Sequence, residues 1–290
     1  MMAIWLFRGA QFRYPMRMRL LLAVLLGLLT AAPAAAAATA WVELAPGTRV
    51  RLITSDRLSA DGTTMAAVEL DMPAGTKTYW RVPGEGGIPA SLDTAGSLGI
   101  GTHRFVWPYP TIEQRGGYTD FVYYGPTVLP LEMKLDGAAA ATLSASLLLG
   151  ICSDICIPAN AEFTLPLTFG KADTAQEIRI AQALAAAPIP WDGAVGAIGE
   201  PQLDAKNGVL RVTIDEGVID PGTLIADATE AGHLLGAPQK SPEPGVVELP
   251  LLGTEHAADF VGKPVQIIFM TRDGPYEVWR TVGASTPGAS

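Results

Sequence analysis

Cysteine, positive charge and long apolar runs are all scarce in this sequence of 290 residues, and each shortage excludes a class of protein. With 2 cysteines it is not a disulfide-dense miniature scaffold, which needs many more. The 20 basic side chains face 29 acidic ones, and the net charge of −9 argues against a protein that neutralises nucleic-acid phosphates. The hydrophobic share of 49% excludes a disordered chain and indicates a folded, globular protein.

The first 38 residues have the pattern of an export signal. They hold four arginines and no acidic residue, with an apolar run from Leu20 to Leu29 followed by small residues from Ala31 to Ala40. We therefore predict a signal peptide over residues 1–38, cleaved near Ala36 to Ala38. The apolar run is shorter than the roughly 20 residues that a membrane span needs. We expect an exported mature chain that does not insert into the membrane and, with 16 basic and 29 acidic side chains, carries a net charge of −13.

The rest of the chain predicts an all-β fold. Short runs that alternate or are rich in β-branched residues are separated by Gly, Pro and Asp, which is typical of β-sandwiches. Asn207-Gly208 and Asp273-Gly274 are hairpin-turn dipeptides. The predicted strands are Arg49 to Thr54, Thr64 to Met72, His103 to Trp107, Thr127 to Leu135, Ala141 to Ile151, Glu162 to Phe169, Val209 to Ile214, Thr223 to Ala228, Val246 to Leu252, Val265 to Thr271 and Glu277 to Val282.

One stretch, from Asp173 to Ala187, has helical composition, and proline at 188 ends it. Its predicted apolar face consists of Ile178, Ala181, Leu184 and Ala185. We interpret residues 171–192 as a helical linker between a domain at 41–170 and a second domain at 193–285.

The two cysteines, Cys152 and Cys156, lie three residues apart between strand-like runs. Such a turn easily brings their Cα atoms within the roughly 4.4 to 6.8 Å that a disulfide requires. Closing so small a loop gives only about 2 kcal/mol in the chain-entropy model, which hardly matters to a domain with its own core. The residues alone leave a structural staple and a redox-active pair equally open, because exposure and strain decide lability.

The charges around the pair indicate how it would react. Asp154 lies between the cysteines, and no Lys, Arg or His lies within ten residues on either side. Without a nearby cation, nothing in the sequence lowers the thiol pKa below its usual ~8.5. Such a pair is suited to a relay in which the partner brings the reactive thiolate.

The sequence gives little support to a metal site or a hydrolase. The three histidines, His103, His233 and His256, are dispersed and lack the spacing of zinc ligands, so we interpret them as surface or packing residues. No G-x-S-x-G, H-E-x-x-H, G-x-G-x-x-G or Walker motif occurs. We predict that no metal and no cofactor is needed.

Three co-linear blocks resemble one family over roughly Trp41 to Phe169. They are Tyr79-Trp80-Arg81-Val82-Pro83-Gly84-Glu85-Gly86-Gly87-Ile88-Pro89, then Trp107-Pro108-Tyr109-Pro110 with Gly117-Tyr118 and Val128-Leu129-Pro130, and finally Cys152-x3-Cys156-Ile157-Pro158. Together they are similar to the periplasmic N-terminal domain of the thiol:disulfide interchange protein DsbD. The likeness is greater to its ScsB-like branch, in which the cysteines are three residues apart.

This resemblance implies an immunoglobulin-like sandwich that works in the periplasm, with the second half as another such sandwich. The Cys152–Cys156 disulfide would relay reducing equivalents from a membrane electron carrier of the DsbD/CcdA type to thioredoxin-fold proteins, a protein-disulfide reductase activity that also serves cytochrome c biogenesis. By the same resemblance, Cys156 forms the mixed disulfide with a partner and Cys152 resolves it. Since the sequence shows neither the transmembrane portion nor the thioredoxin-like domain of DsbD, we expect the carrier to be a separate protein.

The family also covers its cysteine pair with an aromatic cap loop, which corresponds here to Trp107 to Tyr124. The resemblance assigns cap positions to Tyr118, Asp120, Phe121, Tyr123 and Tyr124. It also places Tyr79 beside the disulfide. An alternative interpretation is that these aromatic side chains belong to the core of the sandwich, and that Tyr79 is an ordinary buried strand tyrosine.

Two other functions remain open at this stage. One is a non-catalytic immunoglobulin-like adaptor or chaperone whose disulfide only pins a hairpin. The other is a periplasmic metal-handling protein, which would require copper or zinc bound by the reduced cysteines.

Overall fold

The computed structural model describes residues 37–137, 141–170, 174–253 and 257–285, and it confirms the predicted all-β fold class. The predicted signal peptide lies almost wholly outside these residues. The strands in the first half are β1 (Val42–Ala45), β2 (Thr48–Thr54), β3 (Thr63–Asp71), β4 (Lys77–Gly84), β5 (Ser91–Asp93), β6 (Ile100–Phe105), β7 (Thr111–Arg115), β8 (Tyr118–Tyr124), β9 (Thr127–Leu135), β10 (Ala141–Cys152) and β11 (Cys156–Leu167).

The second half holds the helix α1 and nine further strands among the described residues. They are α1 (Thr174–Ala185), β12 (Ile189–Pro190), β13 (Gln202–Asp204), β14 (Val209–Thr213), β15 (Ile225–Asp227), β16 (Gln239–Lys240), β17 (Val246–Pro250), β18 (Pro264–Thr271), β19 (Gly274–Thr281) and β20 (Gly283–Ala284). Three short 3-10 helices accompany them, at Pro221–Thr223, Thr229–Ala231 and Ala257–Phe260.

The first half is a sandwich of two sheets. One has the strand order β1-β2-β3-β9-β6, and the other has the order β11-β10-β4-β8-β7 with β5 paired to β10. Strands β4 and β8 are missing from the runs predicted by sequence, although β4 carries Tyr79 and pairs with β8. Fully buried side chains fill the space between the sheets, including Leu52, Val68, Trp80, Phe121 and Leu131.

The hairpin of β10 and β11 positions the cysteines. Its two strands pair antiparallel at twelve successive positions, from Ala141 opposite Leu167 to Cys152 opposite Cys156. Odd-numbered side chains of β10, such as Leu143 and Leu149, are buried in the core. Because side chains alternate along a strand, the even-numbered Cys152 lies on the opposite, outer face of the sheet.

The second half forms another pair of sheets, with orders β12-β19-β18-β15 and β16-β17-β14-β13-β20. Its core is built around Leu210, Leu249, Phe260 and Phe269. Both predicted hairpins are confirmed, since β13 pairs with β14 and β18 pairs with β19 across the expected dipeptides. Gly208 has a φ of +65°, the left-handed conformation that this turn requires.

Helix α1 packs on the outer face of the β1-β2-β3-β9-β6 sheet through a face that shares Leu184 with the predicted one but contains Ile180 in place of Ile178. Ile180 is buried against Ile53 and Ala67, whereas Ile178 is 51% exposed. The two isoleucines lie about 200° apart around the helix, so only one of them can face the sheet. Glu177 fixes this orientation, because its carboxylate accepts hydrogen bonds from the Ser55 hydroxyl at 2.5 Å and from the backbone N–H of Asp56 at 2.9 Å.

The second sandwich contacts the outer face of the sheet that carries the cysteines. Arg81 of β4 donates a hydrogen bond to Asp227 of β15 at 2.7 Å and another to Gln266 of β18, and its guanidinium stacks on Trp80. The Tyr109 hydroxyl donates to the carbonyl of Thr223. The described residues therefore form one compact unit in which polar contacts tie the two sandwiches together.

Replacing Arg81 with methionine would keep most of the apolar stem and remove the guanidinium. Because Asp227 and Gln266 would lose a charged donor, we expect the free energy of unfolding to fall by about 1–3 kcal/mol in urea titrations. Arg104→Met is the matched control, since its 2.9 Å ion pair with Glu132 is exposed and should contribute less than about 1 kcal/mol. Equal losses in the two variants would contradict a structural role for the Arg81 contact.

Candidate functional site

The two cysteines form a disulfide at the tip of the β10–β11 hairpin, with their Cα atoms 4.1 Å apart. They differ sharply in access to solvent. Cys152 is 1% exposed and packs against Tyr79 and Val122, whereas Cys156 lies among exposed residues at the start of an edge strand. Cys156 is therefore the exposed residue of the pair and Cys152 the buried one.

Tyr79 is the side chain in closest polar contact with the disulfide. Its hydroxyl lies 2.9 Å from Sγ of Cys152 and 3.4 Å from Sγ of Cys156. Because the disulfide sulfurs carry no hydrogen, the hydroxyl is the donor in both contacts. Burial raises the pKa of Tyr79 above its ordinary value of 10.0, so the hydroxyl keeps its proton at neutral pH.

Two glycines, neither with a positive φ, leave space for the Tyr79 ring because they have no Cβ. A Cβ at Gly87 would overlap the ring of Tyr79 and Cβ of Pro83, and a Cβ at Gly150 would lie 3.0 Å from the Tyr79 ring and from Ile88. Gly87 and Ile88 belong to the segment between β4 and β5, and the backbone N–H of Gly150 donates to the carbonyl of Ile88 at 3.2 Å. This segment therefore covers the tyrosine beside the disulfide.

A cluster of three charged side chains, Lys77, Glu113 and Asp120, lies next to this tyrosine. Lys77 pairs with Cys152 in the strand ladder, and its Nζ lies 5.6 Å from the centre of the Tyr79 ring. The ammonium donates hydrogen bonds to Glu113 and, at 3.1 Å, to Asp120. Oδ1 of Asp120 is buried without a hydrogen-bond partner among the described residues. Arg115 also pairs with Glu113, at 3.8 Å, so the two carboxylates face two cations and the group is neutral overall.

The pKa values of the cluster show which interactions dominate there. Burial acts to lower the pKa of Lys77, but its hydrogen bonds to Glu113 and Asp120 outweigh burial and raise that pKa. Burial also acts to raise the pKa of Glu113, but hydrogen bonds from Lys77 and Tyr124 lower it overall. Both groups are therefore charged at neutral pH. Lys77 is therefore a cation close to the disulfide in space, although none lies near the cysteines in the sequence. Its charge is neutralised by Glu113 and Asp120.

The predicted cap residues fall into two groups because side chains alternate along β8. Phe121 and Tyr123 point into the core, where Phe121 meets Trp80 edge to face at 5.9 Å and the Tyr123 hydroxyl donates to the carbonyl of Pro108 at 2.7 Å. Asp120 and Tyr124 lie on the outer face with Tyr79. Tyr118 begins β8 and is exposed. The structure thus places Phe121 and Tyr123 among the core aromatics rather than over the cysteines.

Sequence reasoning missed the charged cluster and the covering segment. Lys77 and Glu113 lie far from the cysteines along the chain, and only the pairing of β4 with β10 and of β7 with β8 brings them to the site. The Gly-Gly pair at positions 86 and 87 was a usable signal in the sequence, because glycine often marks a place where another part of the chain approaches the backbone closely.

No group of three or more His, Cys, Asp or Glu side chains suited to a metal ion occurs in the part of the chain that the structure describes. His103 accepts or donates a 2.9 Å contact with the Thr94 hydroxyl, and His233 is buried against Phe260. His256 lies outside the described residues. Within residues 37–137, 141–170, 174–253 and 257–285, no helix is long and apolar enough to span a membrane.

Comparison with known proteins agrees with the resemblance seen in the sequence. Residues 49–168 match the family model described as "Thiol:disulfide interchange protein DsbD, N-terminal". The crystal structure of the N-terminal periplasmic domain of ScsB from Proteus mirabilis has a similar fold, with a TM-score of 0.68 and 24% identity over 86% of this chain and 99% of that one. No curated protein matches.

Replacing Gly87 with alanine should displace the Tyr79 ring, because the added methyl has no free space. We expect a loss of about 1–3 kcal/mol in the free energy of unfolding. Reduction of the disulfide by dithiothreitol should also become faster as Cys152 gains access to solvent. The neighbouring Gly86→Ala is the matched control, since a Cβ there meets nothing within 4 Å. Unchanged reduction and stability in Gly87→Ala would show that the ring is not held as described.

Proposed function

We propose that this chain carries out thiol-disulfide exchange with other proteins through Cys152 and Cys156, because residues 49–168 match the family model of the DsbD N-terminal domain. In this proposal it works in the periplasm and relays reducing equivalents from a separate membrane carrier of the DsbD/CcdA type to thioredoxin-fold proteins. Residues 41–170 form the redox domain, 171–192 the linker and 193–285 a second sandwich.

The observation that carries the proposal is the unequal exposure of the two cysteines. The exposed Cys156 offers a sulfur to the partner, and the buried Cys152 offers one that only Cys156 can reach. A permanent staple has no need of this asymmetry. A relay needs it, because the partner must form its mixed disulfide with one defined sulfur.

Reduction of the pair proceeds in two balanced steps. A thiolate of the donor attacks Sγ of Cys156, the Cys152–Cys156 bond breaks, and Cys152 leaves as a thiolate. The second thiolate of the donor then attacks the donor's own sulfur in the mixed disulfide, which releases Cys156. The pair has gained two electrons, and the donor holds the new disulfide.

Delivery to a substrate is the reverse sequence. The Cys156 thiolate attacks a disulfide of the substrate protein and forms a mixed disulfide. Cys152 then attacks Sγ of Cys156, the Cys152–Cys156 bond forms again, and the substrate leaves with both its cysteines reduced.

Tyr79 assists the step in which Cys152 becomes a thiolate. Its protonated hydroxyl, 2.9 Å from the leaving sulfur, donates a hydrogen bond to the developing negative charge. The Lys77–Glu113–Asp120 cluster supplies no net positive charge nearby. Stabilisation of the buried thiolate therefore depends mainly on this hydroxyl.

Cysteine variants test the assignment of roles. We expect reduced Cys152→Ser to accumulate a covalent complex with an oxidised thioredoxin-fold protein, since no sulfur of this chain remains to resolve it and attack by the partner's own second cysteine only regenerates the starting proteins. Cys156→Ser should form no complex, because Cys152 is buried. The measurement is non-reducing gel electrophoresis with mass spectrometry.

The reduction potential of the disulfide in the unsubstituted protein separates this function from a structural disulfide. A working couple should have a reduction potential of roughly −120 to −270 mV, and a structural staple one below about −300 mV. A reduction potential below about −300 mV, together with unchanged thiol-disulfide exchange by Cys156→Ser, would support an adaptor or chaperone instead.

Replacing Tyr79 with phenylalanine removes the hydroxyl and keeps the ring. We expect the thiol pKa of Cys152 to rise and reduction by a protein thiol to slow by about 10- to 100-fold, the equivalent of one hydrogen bond to a charged group. Tyr123→Phe is the matched control, because its hydroxyl donates to Pro108 rather than to sulfur. Stopped-flow kinetics across pH would measure both effects. An equal change in the two variants would contradict the role of Tyr79.

A further inference from the structure

Strand β11 lies at the edge of its sheet, so one side of its backbone is not paired with another strand of that sheet. The hydrogen bonds of its partner strand β10 show in which direction the backbone groups of each residue point. The backbone N–H of Gly150 donates to Ile88 at 3.2 Å, and that of Thr142 donates to Leu98 at 2.9 Å, both away from β11. Even-numbered residues of β10 therefore direct their backbone groups away from the hairpin partner.

In an antiparallel pair, residues directly opposite each other either exchange both hydrogen bonds or both point away. Gly150 is opposite Pro158, and Cys152 is opposite Cys156. Pro158 fits this rule, because proline has no N–H and occupies a position where none is needed for pairing with β10. The N–H and C=O of Cys156 consequently face the open edge, on the same residue that carries the exposed sulfur.

Proline limits how far another strand can pair with this edge. Beside the exposed sulfur, the edge offers the N–H of Cys156 as a donor and the carbonyls of Cys156 and Pro158 as acceptors. Pro166 occupies a second outward-facing position farther along β11. Prolines at such positions prevent long edge-to-edge association while leaving a short pairing site at the cysteine.

Exposed apolar side chains border this short pairing site. Ile155, in the turn between the cysteines, is 75% exposed, and Ile157, next to Cys156, is 38% exposed. The nearest net charge is negative, since the turn carries Asp154 and the Lys77–Glu113–Asp120 cluster is neutral once its Arg115 partner is included. The surface therefore favours an extended, apolar segment without acidic side chains.

We infer that a redox partner docks by strand addition at this edge. An extended segment beside the partner's reactive cysteine pairs with the backbone of Cys156 and the carbonyl of Pro158, and its apolar side chains cover Ile155 and Ile157. The spacing of paired strands, about 4.7–4.9 Å, is compatible with the Cα separation of roughly 4.4 to 6.8 Å in a disulfide. This inference rests on the proposed function and adds to it the mode of recognition.

The test uses the full chain with Cys152→Ser, in which Cys156 is activated as its mixed disulfide with thionitrobenzoate. The probe is thioredoxin whose second active-site cysteine is replaced by serine. Its thiolate attacks Sγ of Cys156, thionitrobenzoate leaves as a coloured thiolate, and a stable protein–protein disulfide remains. The rate is read from absorbance, and amide hydrogen exchange is then measured in the conjugate by NMR.

We expect exchange at the Cys156 amide to slow at least about tenfold relative to the same variant conjugated to glutathione, which has no strand to add. Ile155→Ser and Ile157→Ser should each slow the reaction with thioredoxin by up to about tenfold and leave the reaction with glutathione unchanged. Ile178→Ser is the control and should react normally, since Ile178 lies on α1 with a 51% exposure that falls between those of Ile155 and Ile157.

Two outcomes would overturn the inference in distinguishable ways. If the conjugate forms but the Cys156 amide exchanges as in the glutathione conjugate, and the isoleucine variants react normally, docking does not use this edge while the exchange function stands. If thioredoxin forms no conjugate although glutathione does, the proposed function fails and the docking mode fails with it.

Discussion

The register of one hairpin determines the chemistry of this protein. Because β10 and β11 are paired at every position, Cys152 and Cys156 lie directly opposite each other at the tip, on the outer face of the sheet. The strand next to β10 buries one sulfur, and the open edge exposes the other. If the hairpin shifted by one residue relative to the rest of the sheet, both cysteine side chains would turn toward the core. The alternating apolar residues that fill the core therefore also keep the cysteines on the outer face.

In the proposed function, Tyr79 controls the reactivity of the disulfide through its hydroxyl contacts with both sulfurs. It lies on the same outer face as Cys152, and two glycines allow its ring to approach the sulfurs closely. The adjacent charged cluster holds a cation without making the surroundings positive. In the proposed function, this site would stabilise the thiolate of the buried Cys152 once a partner has attacked Cys156.

Much of the fold could be predicted from the sequence, because alternation and turn dipeptides are local properties. The cysteine pair and the all-β class were recognisable for that reason. The helix was located correctly and Leu184 packs as predicted, but Ile178 was assigned wrongly to the buried face: Ile178 and Ile180 are equally apolar, and only contact with the sheet distinguishes them. The partners of Tyr79 were not predictable, since Lys77 and Glu113 reach it through strand pairings that are distant along the chain. Phe121 shows the same limit, because the side of a strand on which an aromatic residue lies depends on register.

The contact between the two sandwiches has a consequence for how the chain unfolds. Ile225 and Ile268 of the second sandwich are buried in the same apolar cluster as Trp80 and Phe121 of the first. These buried apolar contacts are lost if either half unfolds. We therefore expect the two halves to unfold cooperatively. A cut placed between the halves would therefore expose apolar surface on the half that carries the cysteines.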